Sequence, residues 1–546
     1  MKSLEASVVV VGGGPVGLTL AMDLGSRGVD VVVVEQRHAA EAPSVKCNHV
    51  SARSMEIFRR LGVAAALRQA GLPDDHANDV AFRTSFVGIE FGRIPIPCRR
   101  DRYTATDGPD TWWPTPEPPH RINQMYMEPV LFGHAEAQRG VRILNRVVVE
   151  TVTETSHGVE TRARDSNSGD AVTISSAFLI GCDGGRSVVR RQLGIALQGD
   201  AVVQRVQSSY IRAPGLLARL SSAPAWATIV MNPRRSGTAY AIDGRETWLI
   251  HNYLRAGEKD FDAVDRDWAL RTILGVDGDF EYQLLAKEDW FGRRLIADRF
   301  RQGRIFLCGD SAHIWVPYAG YGMNAGIADA ADLAWLLAGH LAGWAPSGVL
   351  DAYERERRPI TDQVSRFAMD HAERMIRSRG GVPADIEADG PAGEAARVSF
   401  GRSMVELNVG QYCCAGLNFG YYYDDSPIIA YDGETHPPYT MGDFTPATVP
   451  GCRVPHIWLA HGGSLYDALG AGYTLLKLDR AVETARLEHA ARQRGVPLTV
   501  LDLADEAPPA GGRALMLVRP DQHIAWRDDA EPRSPLILID LVRGAA

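Results

Sequence analysis

The sequence predicts an α/β protein with a βαβ unit at its N-terminus, an antiparallel sheet interleaved in its middle and a smaller αβ unit at its C-terminus. Three observations carry that prediction. A β-branched run, a glycine turn and a helical repeat follow one another within the first 35 residues. Short strand-like segments recur at roughly 80–110 and 200–290. After a proline-rich composition shift at 432–451, a strand–helix–strand pattern ends in a hairpin.

Taken in order, Ser7 to Val11 is a continuous β-branched run, typical of a strand buried on both faces. Pro15 to Ser26 places Val16, Leu20 and Leu24 on one helical face, and Gly28 ends that helix. Val31 to Val34 is a second buried strand, closing on Glu35. Val80 to Ile96 alternates, and 97–120 reads as an irregular loop rich in Pro, Trp and charge. Glu128 to Arg139 is helical, and Val141–Val152, Gly158–Arg164 and Ala171–Ile180 form a three-stranded meander. Strands follow at Ala227–Val230, Thr238–Ile242, Thr247–Leu254 and Arg304–Leu307. Ala325 to Leu341 is a long helix, and Asp351 to Arg377 a charged one with a break or kink at Pro359. Residues 379–400 read as a linker or surface excursion. The last unit takes Tyr473–Leu478 and Leu498–Leu503 as strands around a helix at Val482–Arg492, with Ala514–Arg519 and His523–Arg527 as the final hairpin.

Composition narrows the function classes. With 546 residues, 45% apolar and 23% charged, the chain buries a large core without metals or disulfides. A net charge of −9 and the lack of any Lys/Arg block of five argue against a nucleic-acid partner. The seven cysteines include no C-x-x-C pair, and Cys413 and Cys414 are adjacent, so free thiols in a reducing, cytoplasmic compartment are expected. Val8 to Val11 running into Gly12-Gly13-Gly14 is poor signal-peptide grammar. No apolar run reaches the ~18 residues of a membrane span. No His/Cys cluster or H-x-x-x-H spacing calls for a metal.

The first chemical motif is Gly12-x-Gly14-x-x-Gly17, set between strand and helix, with Glu35 and Gln36 after the next strand. Gly12 permits the tight turn, Gly14 admits a pyrophosphate to the backbone of Pro15 and Val16, and Gly17 lets helix and strand pack. The helix N-terminus then holds the anion, and Glu35 is placed to accept from a ribose hydroxyl. This is Rossmann-like nucleotide binding, and by itself it does not separate NAD from FAD.

Two later segments do. Gly181-Cys182-Asp183-Gly184-Gly185-Arg186-Ser187 and Cys308-Gly309-Asp310-Ser311-Ala312-His313 each follow a strand. Across about residues 5–378 the chain resembles the single-component (group A) FAD-dependent aromatic hydroxylases, the class of para-hydroxybenzoate hydroxylase and phenol hydroxylase. The resemblance implies that Asp183 and Gly184 lie near FAD and the nicotinamide nucleotide, and that Asp310 binds the flavin ribityl chain. It extends through His313, Pro317, Gly320, Gly322, Met323 and Asn324, at the family's H-x-x-x-P-x-G-G-x-G-x-N spacing. There Pro317 fixes a loop, the glycines let N–H groups crowd a planar ring, and Asn324 opens a helix aimed at the isoalloxazine. Ala319 departs from the family's usual glycine and is tolerated only with φ below zero. Lys46 and Arg53 match two cofactor-facing arginines, with Lys46 losing the bidentate fork. Gln124 matches a FAD-contacting glutamine.

The C-terminal unit resembles the thioredoxin-like appendage of the phenol, dichlorophenol and polyketide hydroxylase branch, on Pro450 to His456 and Arg519 to Arg527. With Cys452 alone it lacks the two thiols of thioredoxin chemistry, so a redox-inert role is expected, structural or at a subunit contact. The expected domains are 1–378, binding FAD with the substrate sheet interleaved; 379–440, a linker or helical connection; and 441–546, thioredoxin-like.

Aromatic hydroxylation needs a polar group at the substrate oxygen. The strand Thr247 to Tyr253 offers His251, near a substrate-contacting tyrosine of phenol hydroxylase; if the strand faces the other way, Ile250 or Asn252 takes its place. Asn48 and His49 lie where phenol hydroxylase has an acid, and Tyr318 sits beside Pro317. Trp226, Trp315 and Tyr240 are candidates for the pocket wall. The reading is therefore a monooxygenase with non-covalent FAD, NADH or NADPH as co-substrate, and O2 transferred to a phenolic or polycyclic aromatic through a flavin C4a-hydroperoxide. Baeyer–Villiger oxidation or epoxidation of a natural product stays open, as do a non-catalytic FAD-binding interaction protein and a homodimer. A flavin halogenase is disfavoured, because no W-x-W-x-I-P segment occurs.

Overall fold

The structure is a computed structural model that describes every residue except Met1, Ala42, Ser44, Cys47, Pro508, Ala510 and Ala546, together with all but the side chain of Ala201. Three sheets organise it. The first is built on β1 (Lys2–Val11) and β2 (Val31–Glu35), joined by α1 (Pro15–Ser26). β1 pairs in parallel with β2 on one side and with Ala171–Gly181 on the other. Val141–Asn145 extends the parallel sheet beyond β2, and Ile305–Leu307 extends it beyond Ala171–Gly181. Both faces are covered, so Val8, Val9, Val10, Val31, Val32 and Val33 are fully buried.

The second sheet has eight strands, running from His313–Ile314 through Gln283–Ala297, Leu197–Arg212, Thr247–Tyr253, Ser236–Ala241 and Ala227–Met231 to Val80–Arg83 and Glu90–Ile94. It forms one wall of the cleft that the first sheet's loops face. The third sheet, ordered Leu498–Asp502, Tyr473–Lys477, Leu515–Val518, Ile524–Asp528, has its first two strands parallel around the helix Ala485–Gln493 and a closing hairpin. This βαβ–ββ order, with Pro535–Val542 as a last helix, is the thioredoxin-like unit.

Several elements differ from the sequence reading, each for a local reason. The stretch read as one strand from Val141 to Val152 is two, because Arg146 turns at φ 62°. The first half joins the parallel sheet and only the second enters the meander. The two longest strands, Leu197–Arg212 and Gln283–Ala297, carry no apolar run; the second bulges near Ala286 and near Arg294 and is exposed over its first half. The helix Asp351–Gly380 continues through Pro359 without a break. The expected linker after it holds the 23-residue helix Gly390–Tyr412, started by Pro391 in its first turn. Only six of its residues are buried, so no apolar stripe advertised it. The helix Pro535–Val542 also went unread, being short and apolar on most faces.

The C-terminal hairpin tip plugs into the first domain. Arg519 is wholly buried and donates to both Glu356 oxygens at 2.6 and 2.7 Å, to Asp521 at 2.8 Å and to Asp332 at 3.2 Å. Desolvation and the neighbouring Glu356 push the Asp332 carboxyl well above its ordinary value. The six described cysteines are free, Cys47 lying outside the described residues. No helix among the described residues is long and apolar enough to cross a membrane.

Candidate active site

The βαβ turn has the geometry its glycines imply. Gly12 sits at φ 107°, and a Cβ there would lie 2.4 Å from the Cys182 carbonyl oxygen. A Cβ on Gly17 would lie 2.0 Å from the Gly12 oxygen, so helix and turn meet backbone to backbone. A Cβ on Gly14 would meet nothing within 4 Å. Gly14 is the N-cap of α1, and no side chain caps that helix. An open cradle at an uncapped helix N-terminus fits a pyrophosphate. Pro15 is buried at the first helical position, and Val16 packs beneath Gly309 and Gly326. Glu35 is buried and fixed, accepting from the Gly13 N–H at 2.6 Å and the Arg37 N–H at 2.8 Å. Gln36 beside it is exposed.

Asp183 accepts from the Val188 and Val189 N–H groups at 2.7 and 3.1 Å, capping the short helix Val188–Gln192, while its other oxygen is buried without a partner. Gly184 takes φ 74°. Asp310 opens into the main cleft, where desolvation raises its carboxyl above the ordinary value against the pull of His313 and Lys46. His313 is itself held by Asp329 at 2.6 Å.

That cleft is a cavity of about 630 Å³ with two ends. At one end lie Lys46, Gln124, Asp310, Pro317, Gly320, Gly322 and Met323. The helix Gly322–Leu341 starts here with no side-chain cap and no acid in its first turn, a positive pole left for a planar anion. Asn324 ties this start down: its Oδ1 accepts from the Ser51 N–H at 2.9 Å and the Ser54 hydroxyl at 2.8 Å. Lys46 is half-exposed at the mouth and pairs with Glu288 at 2.8 Å. Gln124 bonds Glu128 at 3.0 Å. The donors, the glycine cradle and the two uncapped helix starts suit FAD.

Two expectations are corrected here. Arg53 does not face the cleft. Its guanidinium donates to the Asp521 carbonyl at 2.7 Å, to Gln522 and to Glu56 at 3.1 Å, because the buried hairpin tip supplies acceptors. Ala319 has φ 59°, in the left-handed region it was expected to avoid. Its N–H donates to Gln411 at 3.3 Å, so the helix Gly390–Tyr412 helps to hold the strained turn.

The other end is aromatic. Trp226, Tyr240, His251, Tyr253, Trp290, Tyr318 and Tyr412 line it, with Trp315 also on the wall. The strand Thr247–Tyr253 presents Leu249, His251 and Tyr253 to the cavity. Ile250 packs in the core behind, and Asn252 bonds Gln207 and Arg235. His251 Nδ1 is 2.7 Å from Ser208 Oγ, which also accepts from Trp290 Nε1 at 2.8 Å. Indole only donates, and the serine oxygen, with two lone pairs, either donates its own proton to a bare Nδ1 or accepts from a protonated one as well. Desolvation holds His251 at about 4, neutral at physiological pH.

His49 lies under Gly320, where a Cβ would crowd it at 3.2 Å, and its Nδ1 is 2.6 Å from Arg121. Desolvation and that guanidinium push it well below the usual imidazole range. Asn48 accepts from Asn123. Tyr318 accepts from Arg379 at 2.6 Å. Arg121, Arg379, Tyr253, Gln411 and Tyr412 also line the cavity and were not singled out from the sequence. Tyr253 was within reach, two residues past His251 on one strand face. Arg379 lies two residues past the bound read for its helix, and Tyr412 closes a helix that carried no signal.

A glycine cradle, an aspartate lining the cleft and an aromatic chamber opening on an uncapped helix fit a FAD-dependent monooxygenase of the single-component type. Comparison with known proteins agrees. The family described as FAD binding domain matches residues 5–368, and the aromatic-ring hydroxylase C-terminal family matches 447–539. The FAD-dependent monooxygenase apdD of Emericella nidulans is 30% identical over 96% of this chain and 88% of its own. A putative polyketide hydroxylase of Streptomyces halstedii is 30% identical over 95% and 93%. Among solved structures, the rebeccamycin biosynthetic enzyme RebC with reduced flavin superposes with a TM-score of 0.90 at 32% identity over 100% of both chains. Aklavinone-11 hydroxylase with FAD and aklavinone superposes at 0.80, with 26% identity over 99% of each. The chain belongs to the group A FAD-dependent aromatic hydroxylases.

Proposed function

We propose that this enzyme hydroxylates a polycyclic aromatic small molecule, using NADH or NADPH and O2. The observation that carries this is the continuity of the aromatic chamber with the flavin end in one cavity of about 630 Å³, within the range of sites that enclose multi-ring ligands. Relatives named as acting on or binding polycyclic compounds support it: a tetracenomycin B2 monooxygenase-dioxygenase, aklavinone 12-hydroxylase, and RebC with bound 7-carboxy-K252c. A phenol 2-monooxygenase matches at 26% identity.

When bound, FAD supplies the electrons taken from NAD(P)H and the activation of O2. The cradle from Gly12 to Gly17, Glu35, Asp183 and Asp310 would hold it. The residues of this chain do the rest. The walls formed by Trp226, Tyr240 and Tyr412 exclude water and hold a flat ring in the cavity that the Pro317–Gly322 loop also lines. In the tautomer protonated at Nε2, with the Ser208 hydroxyl donating to Nδ1, neutral His251 donates a hydrogen bond to a ring oxygen, which stabilises negative charge there as the ring is attacked. Pro317 and Gln411 keep the loop shaped, and Gly320 leaves His49 its place.

The test is a panel of mono- and polycyclic phenols incubated with purified holoenzyme and NAD(P)H under air. Polycyclic members are expected to stimulate NAD(P)H oxidation and to gain 16 mass units, with simple phenol far behind. Stimulation by simple phenol alone would contradict the substrate size, and stimulation by none would contradict the function.

A further inference from the structure

The charge balance of the aromatic chamber is uneven. Arg121 is buried, lies 4.1 Å over the Trp226 ring and lines the cavity. Its only hydrogen-bond partner among the described residues is the neutral His49. The acid that acts on it, Asp110, is already bound to Arg102 at 2.6 Å. On another wall, Arg379 stacks 3.6 Å over the Tyr253 ring and donates to the Tyr318 hydroxyl, and its Nη1 is buried with no partner. Neither guanidinium pairs with any carboxylate among the described residues, although such pairs are common elsewhere, many of them on the surface. His49 and His251, beside these arginines and tyrosines, are neutral. The mouth is balanced, since Lys46 pairs with Glu288. The one acid facing the interior, Asp310, belongs to the flavin end.

Two partly desolvated cations without counter-ions are costly in an apolar chamber, and faces of aromatic rings attract them without neutralising them. A guanidinium is built to receive an anionic oxygen through paired N–H donors. Tyr240, Tyr253, Tyr318 and Tyr412 line the same cavity, and a phenolic hydroxyl donates to oxygen as well.

We propose that the chamber selects aromatic substrates bearing an anionic oxygen, a ring carboxylate or an acidic ring enolate, with Arg121 and Arg379 as the specificity-determining residues. This rests on the hydroxylase reading and deepens it: the substrate is an aromatic acid or a polyphenol already ionised at neutral pH. The electrostatic match also orients it, because an oxygen held at an arginine fixes which ring edge meets the flavin end.

Isothermal titration calorimetry of the FAD-loaded enzyme at pH 7.5, without NAD(P)H, tests this with two matched pairs. Anthraquinone-2-carboxylate against its carboxamide reads a carboxylate preference, and 2-hydroxy-1,4-naphthoquinone against its methyl ether reads an enolate preference. At least one anion is expected to bind tenfold or more tightly than its neutral partner. Arg379→Met and Arg121→Met are each expected to erase that preference by weakening the anion alone, and Arg379→Lys to keep part of it. Arg379 is only half-buried, so its variants decide the matter if Arg121→Met folds poorly. Released flavin reports the FAD content of each. Equal affinities in both pairs, no measurable binding of either anion, or a preference that survives in Arg379→Met would overturn the proposal. Turnover of neutral aromatics only would also overturn it while leaving the hydroxylase reading intact. Anion preference without aromatic-stimulated NAD(P)H oxidation would contradict the hydroxylase reading alone.

Discussion

A methyl group on Gly17 would sit 2.0 Å from the Gly12 oxygen, and distances of that kind are why the cofactor motifs were readable from residues alone. Backbone geometry dictates residue type at Gly12, Gly14 and Gly17, so the type reports the geometry. Side chains that act through distant partners were not readable. Arg53 matched a motif, yet its acceptors, Asp521 and Gln522, come from the far end of the chain. Ala319 shows the reverse: a residue that disfavours the left-handed region sits in it at φ 59°. Strain of this kind costs about 1 kcal/mol. Ala319→Gly is therefore expected to raise the unfolding free energy by about 1 kcal/mol in urea titration with the flavin spectrum unchanged; no gain would show that the turn is unstrained. At His251, loss of a hydrogen bond to a developing negative charge is worth about 1.5–3 kcal/mol. His251→Ala should slow oxygen transfer by about ten- to a hundredfold, with more H2O2 formed per NAD(P)H and FAD content unchanged. Because His251 stays neutral down to about pH 4, the wild-type rate should show no inflection from it between pH 6 and 9. Stopped-flow rates and peroxide yields across that range check both statements, and a fully coupled His251→Ala enzyme would remove the role.

Elements with one buried face and clear punctuation were legible: α1 matches its sequence bounds from Pro15 to Ser26. Elements exposed or paired at long range were not. The strand Gln283–Ala297 is shaped by its partner Leu197–Arg212 rather than by its own pattern, and the helix Gly390–Tyr412 buries too little to show a stripe. That helix nonetheless completes the cavity with Gln411 and Tyr412, which is why those two wall residues are not legible in the sequence. The hairpin tip at Arg519 to His523 explains what the thioredoxin-like unit does without a dithiol: it inserts a buried cation among Asp332, Glu356 and Asp521. Through Asp521 and Gln522 it also holds Arg53, on the helix whose Ser51 and Ser54 grip Asn324. Removing one member of such a buried network leaves uncompensated charge, at about 3–5 kcal/mol. Arg519→Met is expected to lower stability by that amount in denaturant titration and to loosen FAD. A change below about 1 kcal/mol, the range of exposed pairs, would show that the tip is not a clamp.

At the scale of the molecule, buried histidines set the acid limit. Desolvation holds His120 at about 3 and His371 and His523 at about 4, all well below the unfolded value. As pH falls below about 6.5, the unfolded chain takes up these protons and the native state does not. Stability is therefore whole above that pH and declines toward pH 4, by about 1.4 kcal/mol per pH unit for each histidine. Thermal unfolding should show a midpoint falling steadily from pH 6.5 to 5, above the range in which ordinary carboxylates titrate; a flat midpoint there would contradict the assignment.

The central claim is that one oxygen atom of O2 reaches an aromatic ring held in the chamber. Turnover of a stimulating polycyclic phenol under 18O2, with NAD(P)H consumption and product followed together, tests it most directly. The expected result is a product heavier by one 18O atom, formed nearly one-for-one with NAD(P)H consumed. Consumption of NAD(P)H matched by H2O2, with no label in the aromatic product, would contradict it.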